Sequence, residues 1–288
     1  MHPMINAALC AAALGSLSRA DESADMLSKG PSRYAKVNQF RVHYKSFGRG
    51  KTAIVFIHGS ACDMTMWRFQ VPAFADKARV ILIDLPGHGQ SDKPKIEYSM
   101  DLFAQAIDAV LGDAGVQNAV LIGASMGTPV ARQFWRRFPQ KTVALIAVDG
   151  MIAPLPFPQG QAKVLEGPNY KAAMLHFADM TFGKLPADLR QSMKAIIAST
   201  PQHVALGVAK AMQEPAIWKD DPIQIPVLMV LSATPIWPAD YEQQVRKIAP
   251  QLEFYKMKDA GHCLTLEKPK EFNALLGEFL KKQSVLQP

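Results

Sequence analysis

Cysteine is scarce in this chain, with three residues, Cys10, Cys62 and Cys263, in 288. So few thiols build neither a disulfide scaffold nor a multi-cysteine metal cage. No apolar run reaches the length that spans a bilayer, which excludes an integral membrane helix. Histidines, cysteines and carboxylates nowhere recur at metal-ligand spacing, and no glycine-rich loop with its lysine offers a phosphate cradle. Neither a metal nor a cofactor is expected. Basic residues exceed acidic ones, giving a formal charge of +7. They are dispersed and form no stripe interleaved with aromatics, so a solvated basic surface is expected rather than a nucleic-acid face. Low-complexity tracts and internal repeats are also missing.

The ends and the middle read differently. Ile5 to Leu17 is apolar and small, and Ser18-Arg19-Ala20 before Asp21 resembles a small-x-small cleavage site. Residues 1–20 are read as a signal peptide, which would make the protein periplasmic or secreted. The alternative is a short arm on a cytoplasmic protein, because Met1-His2-Pro3-Met4 carries no Lys or Arg. Cleavage would remove Cys10 and leave Cys62 and Cys263, either as two free thiols, the favoured state, or as a disulfide that export would permit.

Strand-like and helix-like stretches alternate through most of the chain. Val37 to Tyr44 reads as a hairpin ended by Gly48-Arg49-Gly50. Ala53-Ile54-Val55-Phe56-Ile57 and Val80-Ile81-Leu82-Ile83 are continuous apolar runs, as in parallel strands covered on both faces. A helix is predicted from Ser99 to Leu111, capped by Ser99 or Asp101. The strand Ala119 to Ile122, a helix through Arg132 to Phe138, and the strand Val143 to Val148 follow. Pro226 to Leu231 and Leu252 to Lys256 supply two more strands, and Pro269 to Lys282 a closing helix. This order predicts an open, mostly parallel α/β sheet flanked by helices. Residues 21–149 and 226–288 form that core.

Residues 150–225 break the rhythm and read as a helical cap inserted after the sixth strand. They open with Pro154, Pro156 and Pro158, and continue with helices over Tyr170 to Phe182 and Ala187 to Met212, interrupted at Pro201. Met174, Phe177, Met180, Phe182, Met193 and Met212 either pack these helices together, the favoured reading, or line an acyl pocket.

Chemistry enters at Gly123-Ala124-Ser125-Met126-Gly127. A strand running into Gly-x-Ser-x-Gly is the pattern of a nucleophile elbow, with the serine on a sharp strand-to-helix turn. A Cβ at either glycine would collide with a neighbouring element as the chain doubles back. A serine hydroxyl needs a base, and His262, in Asp259-Ala260-Gly261-His262-Cys263 after the last strand, is the candidate. His58 is read as a loop-holding residue, and His88 lies in the turn Pro86-Gly87-His88-Gly89.

With these residues in place, the chain resembles an α/β-hydrolase fold serine hydrolase of the epoxide hydrolase, esterase and haloalkane dehalogenase branch. Phe56-Ile57-His58-Gly59, Asp84-Leu85-Pro86-Gly87-His88-Gly89-Gln90-Ser91-Asp92, the elbow, and Gly261-His262 with Leu266-Glu267-Lys268-Pro269 carry the resemblance over residues 34–283. It implies an oxyanion hole built from the backbone N–H groups of Ser60 and Met126. It implies an acid in one of two places. The loop after Val227 to Leu231, its usual place, has no carboxylate before Asp240. Val148-Asp149-Gly150 ends the strand after the nucleophile helix and matches the dehalogenase spacing. Asp149 is preferred and Asp240 is the alternative. A serine where those relatives carry an aspartate implies acyl chemistry. The expected activity is hydrolysis of a small apolar ester or thioester without a cofactor. C–C bond hydrolysis or perhydrolysis on the same triad, and a ligand-binding sensor with little turnover, are the alternatives.

Overall fold

Strands form where apolar, β-branched runs occur, and the sheet they build fixes the height at which every loop emerges. In a computed structural model, residues 26–155 and 161–286 are described. The segment read as a signal peptide, Cys10, Pro156 and Pro158 lie outside the described residues. Eight strands form one sheet in the order β1-β2-β4-β3-β5-β6-β7-β8. They are β1 (Arg33–Val37), β2 (Phe40–Phe47), β3 (Thr52–Ile57), β4 (Arg79–Ile83), β5 (Asn118–Ala124), β6 (Thr142–Val148), β7 (Val227–Ser232) and β8 (Leu252–Met257). From β4 onward in that order all pairings are parallel, while β2 runs antiparallel to both β1 and β4. The first hairpin starts at Arg33, before the Val37 expected from sequence, because Arg33 and Tyr34 pair across to Tyr44 and His43 despite being exposed.

Alternate residues of the central strands feed two separate cores, as a period of two requires. Val55, Ile57, Ile81 and Leu121 pack on one face with Phe103, Ile107 and Val110 of α1 (Met100–Asp113) and Val130 and Phe134 of α2 (Gly127–Arg137). Ile54, Phe56, Leu82 and Ile122 pack on the other face. Both faces are covered, which is why these strands read as unbroken apolar runs. Ser99 caps α1 by accepting from Leu102 N–H at 3.1 Å, and Asp101 sits in the first turn.

Between β6 and β7 the described residues form helices and no strand. These are α3 (Gln161–Glu166), α4 (Tyr170–Phe182), α5 (Ala187–Ala198) and α6 (Gln202–Met212). The break at Pro201 separates α5 from α6, since proline tolerates a first turn but not a helix interior. Met174, Phe182 and Met193 are buried, whereas Met180 is 70% exposed. α7 (Tyr241–Ile248) and the closing α8 (Pro269–Lys282) complete the chain. The short α3 and α7 were not anticipated, because six and eight residues give too few turns for a clear apolar period.

Candidate active site

β5 ends at Ala124, and the next residue turns the chain. Ser125 has φ 52°, a left-handed backbone that a non-glycine residue holds only under constraint. The constraint is visible. Ser125 N–H donates to Val148 O at 3.0 Å, and Thr128 N–H donates back to Ser125 O at 3.0 Å. A Cβ built at Gly123 would overlap the Gly127 carbonyl, and one built at Gly127 would overlap Ile57 O. Both glycines are therefore steric requirements of the turn. Ser125 is partly exposed and opens into a cleft of about 20 Å³ lined also by Ser60, Met66, Phe177, Phe182 and His262.

His262 follows β8 on a loop whose Asp259 also has a positive φ, 54°. Gly261 N–H donates to Glu267 Oε2 at 2.5 Å, which ties the loop to the helical turn that follows. His262 Nδ1 lies 2.7 Å from Asp149 Oδ2. An ionised carboxylate only accepts, so Nδ1 carries the proton and Nε2 is left as the basic nitrogen. The His262 side chain is 33% exposed and that of Asp149 is 1% exposed.

Asp149 sits one residue beyond β6 at φ 42°. Its other oxygen, Oδ1, accepts from Ser232 N–H at 2.6 Å and from Trp237 Nε1–H at 2.9 Å. A buried carboxylate needs donors of this kind to offset its desolvation. The loop after β7 thus supplies donors to Asp149. Asp240, the alternative carboxylate, makes no hydrogen bond or ion pair with His262, which pairs with Asp149. It is exposed at the N-terminus of α7 and accepts from Gln244 Nε2 at 3.1 Å.

The loop after β3 holds a second set of groups. His58 Nδ1–H donates to Gly59 O at 2.7 Å, and Cys62 N–H reaches the same oxygen at 3.3 Å. Leu85 N–H donates to His58 Nε2 at 3.0 Å, so this ring is neutral. Burial lowers its pKa, in agreement with that role. A trans peptide points its C=O and N–H in opposite directions, so clamping Gly59 O aims the Ser60 N–H. Among the described residues neither Ser60 N–H nor Met126 N–H has a backbone acceptor. Met126 N–H stands at the start of α2, where such donors are left over and the helix dipole favours negative charge.

Three further features were not read from sequence. His43 lies 2.7 Å from Asp84 and 2.9 Å from Ser32, reproducing a serine–histidine–aspartate chain. Ser32 has no positive φ and stands on no elbow, and the Asp84 carboxylate accepts besides from Met64 N–H and Gln90 N–H. That second arrangement braces loops. Trp237 and Glu267 are the other two, since their contacts depend on tertiary packing; Leu266-Glu267-Lys268-Pro269 was the only written trace. Cys62 and Cys263 are free, buried thiols. Burial pushes both above the ordinary thiol range, with the charge of Asp63 adding to the effect at Cys62. Cys62 also lines a larger cavity of about 440 Å³, together with Lys45, Asp63, Arg68, Asp84 and Lys93 among others.

A parallel sheet with a strained serine at the end of one strand and a carboxylate-held histidine after the last defines an α/β-hydrolase. The chain belongs to the alpha/beta hydrolase family, whose model matches residues 54–275. It is similar to the 2-hydroxy-6-oxononadienedioate/2-hydroxy-6-oxononatrienedioate hydrolase of Paraburkholderia phymatum, 28% identical over 275 residues that cover 86% of this chain and 95% of that protein. Among solved structures it is similar to Est816, described as an N-acyl homoserine lactone degrading enzyme. The TM-score is 0.73 and the identity 27%, with 86% of this chain and 100% of that one covered. A thermophilic esterase from Thermogutta terrifontis shares the fold at TM-score 0.75 and 23% identity, covering 88% of this chain and 99% of its own. Among the described residues, no helix is long and apolar enough to cross a membrane.

Proposed function

We propose that the protein is a serine hydrolase that cleaves carboxylic esters or thioesters through an acyl-enzyme. The observation that carries this reading is the 2.7 Å contact between His262 Nδ1 and Asp149 Oδ2, beside a serine held at φ 52°. Ser125 Oγ attacks the carbonyl carbon while His262 Nε2 takes the hydroxyl proton. The oxyanion is received by the N–H groups of Ser60 and Met126, which are aimed before reaction and need no reorganisation. The carbonyl–oxygen bond to the alcohol then breaks, and His262 returns its proton to the leaving alkoxide. Water, deprotonated by His262, attacks the acyl-enzyme, and the acid departs as Ser125 regains its proton. Asp149 orients the imidazole and stabilises it while charged. The helices between β6 and β7 serve as a cap, with Phe177, Thr181 and Phe182 facing the serine.

Labelling with a fluorophosphonate tests this directly. The expected result is one adduct, at Ser125, with turnover of p-nitrophenyl acetate that disappears in Ser125→Ala. Well-folded protein that takes no label would overturn the enzymatic reading in favour of a ligand-binding protein. The relative named as a 2-hydroxy-6-oxononadienedioate hydrolase supports a second reading, C–C bond hydrolysis on the same residues. That reading requires turnover of a 2-hydroxy-6-oxo dienoate at a rate exceeding that of the simple ester.

A further inference from the structure

On the ester-hydrolase reading above, the two halves of the substrate lie on opposite sides of Ser125. His262 hands its proton to the leaving group, so that half lies on the open side of the imidazole, whose side chain is 33% exposed. The acyl half is left to the narrow cleft at Ser125. Cys62, Met66, Phe182 and Cys263 wall it, and all four are buried. The wall is also fixed, since Gly59 N–H donates to Met66 Sδ at 3.4 Å and Phe182 has no exposed surface. The free volume, about 20 Å³, holds roughly one water molecule. A methyl group fits such a space, and a longer chain must displace packed side chains. The 440 Å³ cavity shares one residue with this cleft, since among the described residues Cys62 alone lines both spaces.

We propose that the Cys62 side chain is a partition between the reaction cleft and the larger cavity, and that it restricts the acyl half of the substrate to acetyl size. The protein is then a short-chain acyl esterase. Cys62 acts through its volume. A thiol kept protonated by burial is a weak nucleophile and a weak metal ligand, so its chemistry is idle here.

The test is a chain-length series of p-nitrophenyl acetate, butyrate, hexanoate and octanoate, read as kcat/KM for the parent protein, Cys62→Ala and Cys62→Thr. One methylene too many in a fitted pocket costs roughly 10–200-fold. The parent is expected to lose at least about 10-fold from acetate to butyrate. Cys62→Ala opens the cleft into the larger cavity and raises the butyrate-to-acetate ratio by about 10-fold or more. Cys62→Thr fills at least the space of the thiol and keeps the parent profile. A parent profile that rises with chain length, an unchanged ratio in Cys62→Ala, or a Cys62→Thr variant that shifts as Cys62→Ala does would overturn the partition. Each of those results leaves the Ser125 chemistry standing. No turnover of any ester together with no fluorophosphonate adduct would overturn the hydrolase reading and the partition with it.

Discussion

Replacing Asp149 by asparagine should slow turnover sharply, and the reason lies in the two donors at its far oxygen. Ser232 N–H and Trp237 Nε1–H both point at Oδ1. An asparagine oxygen placed there satisfies both, which turns the amide –NH2 toward His262 Nδ1. That nitrogen must then accept, so the imidazole proton moves to Nε2 and the base is lost. The same change in a serine protease triad lowers kcat about 10⁴-fold, or about 5.5 kcal/mol. The amide can flip to restore the correct tautomer, but this leaves two buried donors facing an –NH2 group. At about 1–3 kcal/mol per orphaned donor, the flip costs about 2–6 kcal/mol. The smaller penalty governs, so Asp149→Asn should lose between about 30-fold and 10⁴-fold in kcat. Removing one donor makes the flip cheaper. Asp149→Asn with Trp237→Phe should therefore run faster than Asp149→Asn alone, by roughly 5–100-fold. Steady-state hydrolysis of p-nitrophenyl acetate measures all of this, with circular dichroism to verify folding. An Asp149→Asn variant keeping more than a tenth of the parent kcat would refute the argument, as would a double variant slower than the single one. Asp240→Asn should leave kcat within about 3-fold.

Other perturbations test the scaffold. His58→Phe removes the donor that clamps Gly59 O, and kcat should fall by about 10–100-fold with little change in KM, since the loss is of transition-state stabilisation. His58→Asn can still donate to that carbonyl and should recover most of the loss; a fall carried by KM alone would point instead to substrate binding. Gly123→Ala should cost about 3 kcal/mol or more, a drop in Tm of at least about 6 °C, because its Cβ meets backbone. Gly112→Ala, within α1 and with nothing in reach of its Cβ, should gain about 0.5–1 kcal/mol. Equal Tm shifts in the two variants would contradict the packing around the elbow. His88 is buried, and burial together with His58 lowers its pKa to about 3 from the usual 6.5. A depressed folded value means the unfolded chain binds the extra proton, so stability is full above pH 6.5 and is lost as pH falls toward 3. A urea midpoint that stays flat from pH 7 to pH 5 would exclude this contribution.

Where a sequence signal is local, it survived into the structure. The elbow glycines, the apolar strand runs, Ser99 as a cap and the helices over Tyr170–Phe182 and Pro269–Lys282 depend on neighbours within a few residues. His58 was readable as a loop-holding residue because it ends a strand beside a glycine. The candidate acid was harder. Asp149 and His262 are 113 residues apart, and the sequence offers two carboxylates, of which Asp149 lies 2.7 Å from the ring in the structure. Trp237 carried no signal at all, since its indole meets Asp149 across 88 residues and only the packing of the loop after β7 directs it there. The Ser32–His43–Asp84 chain shows the converse, because residue types in the right order mean little until the backbone around the serine is known.

The sheet divides the three proposed catalytic groups unevenly. Ser125 and Asp149 cap adjacent strands locked in register, Ala124 against Val148, with Ser125 N–H bonded to Val148 O and Asp149 N–H to Val230 O. Their separation is set by the parallel pairing of β5, β6 and β7 and opens only when the sheet does. His262 rides on a loop beyond the edge strand, held through the Gly261–Glu267 contact and its own bond to Asp149. Local opening draws on such weakly anchored segments first. The histidine loop is therefore a thermal fuse. On warming, turnover should fade while the far-ultraviolet signal of the sheet is still intact, and cooling should restore it without refolding.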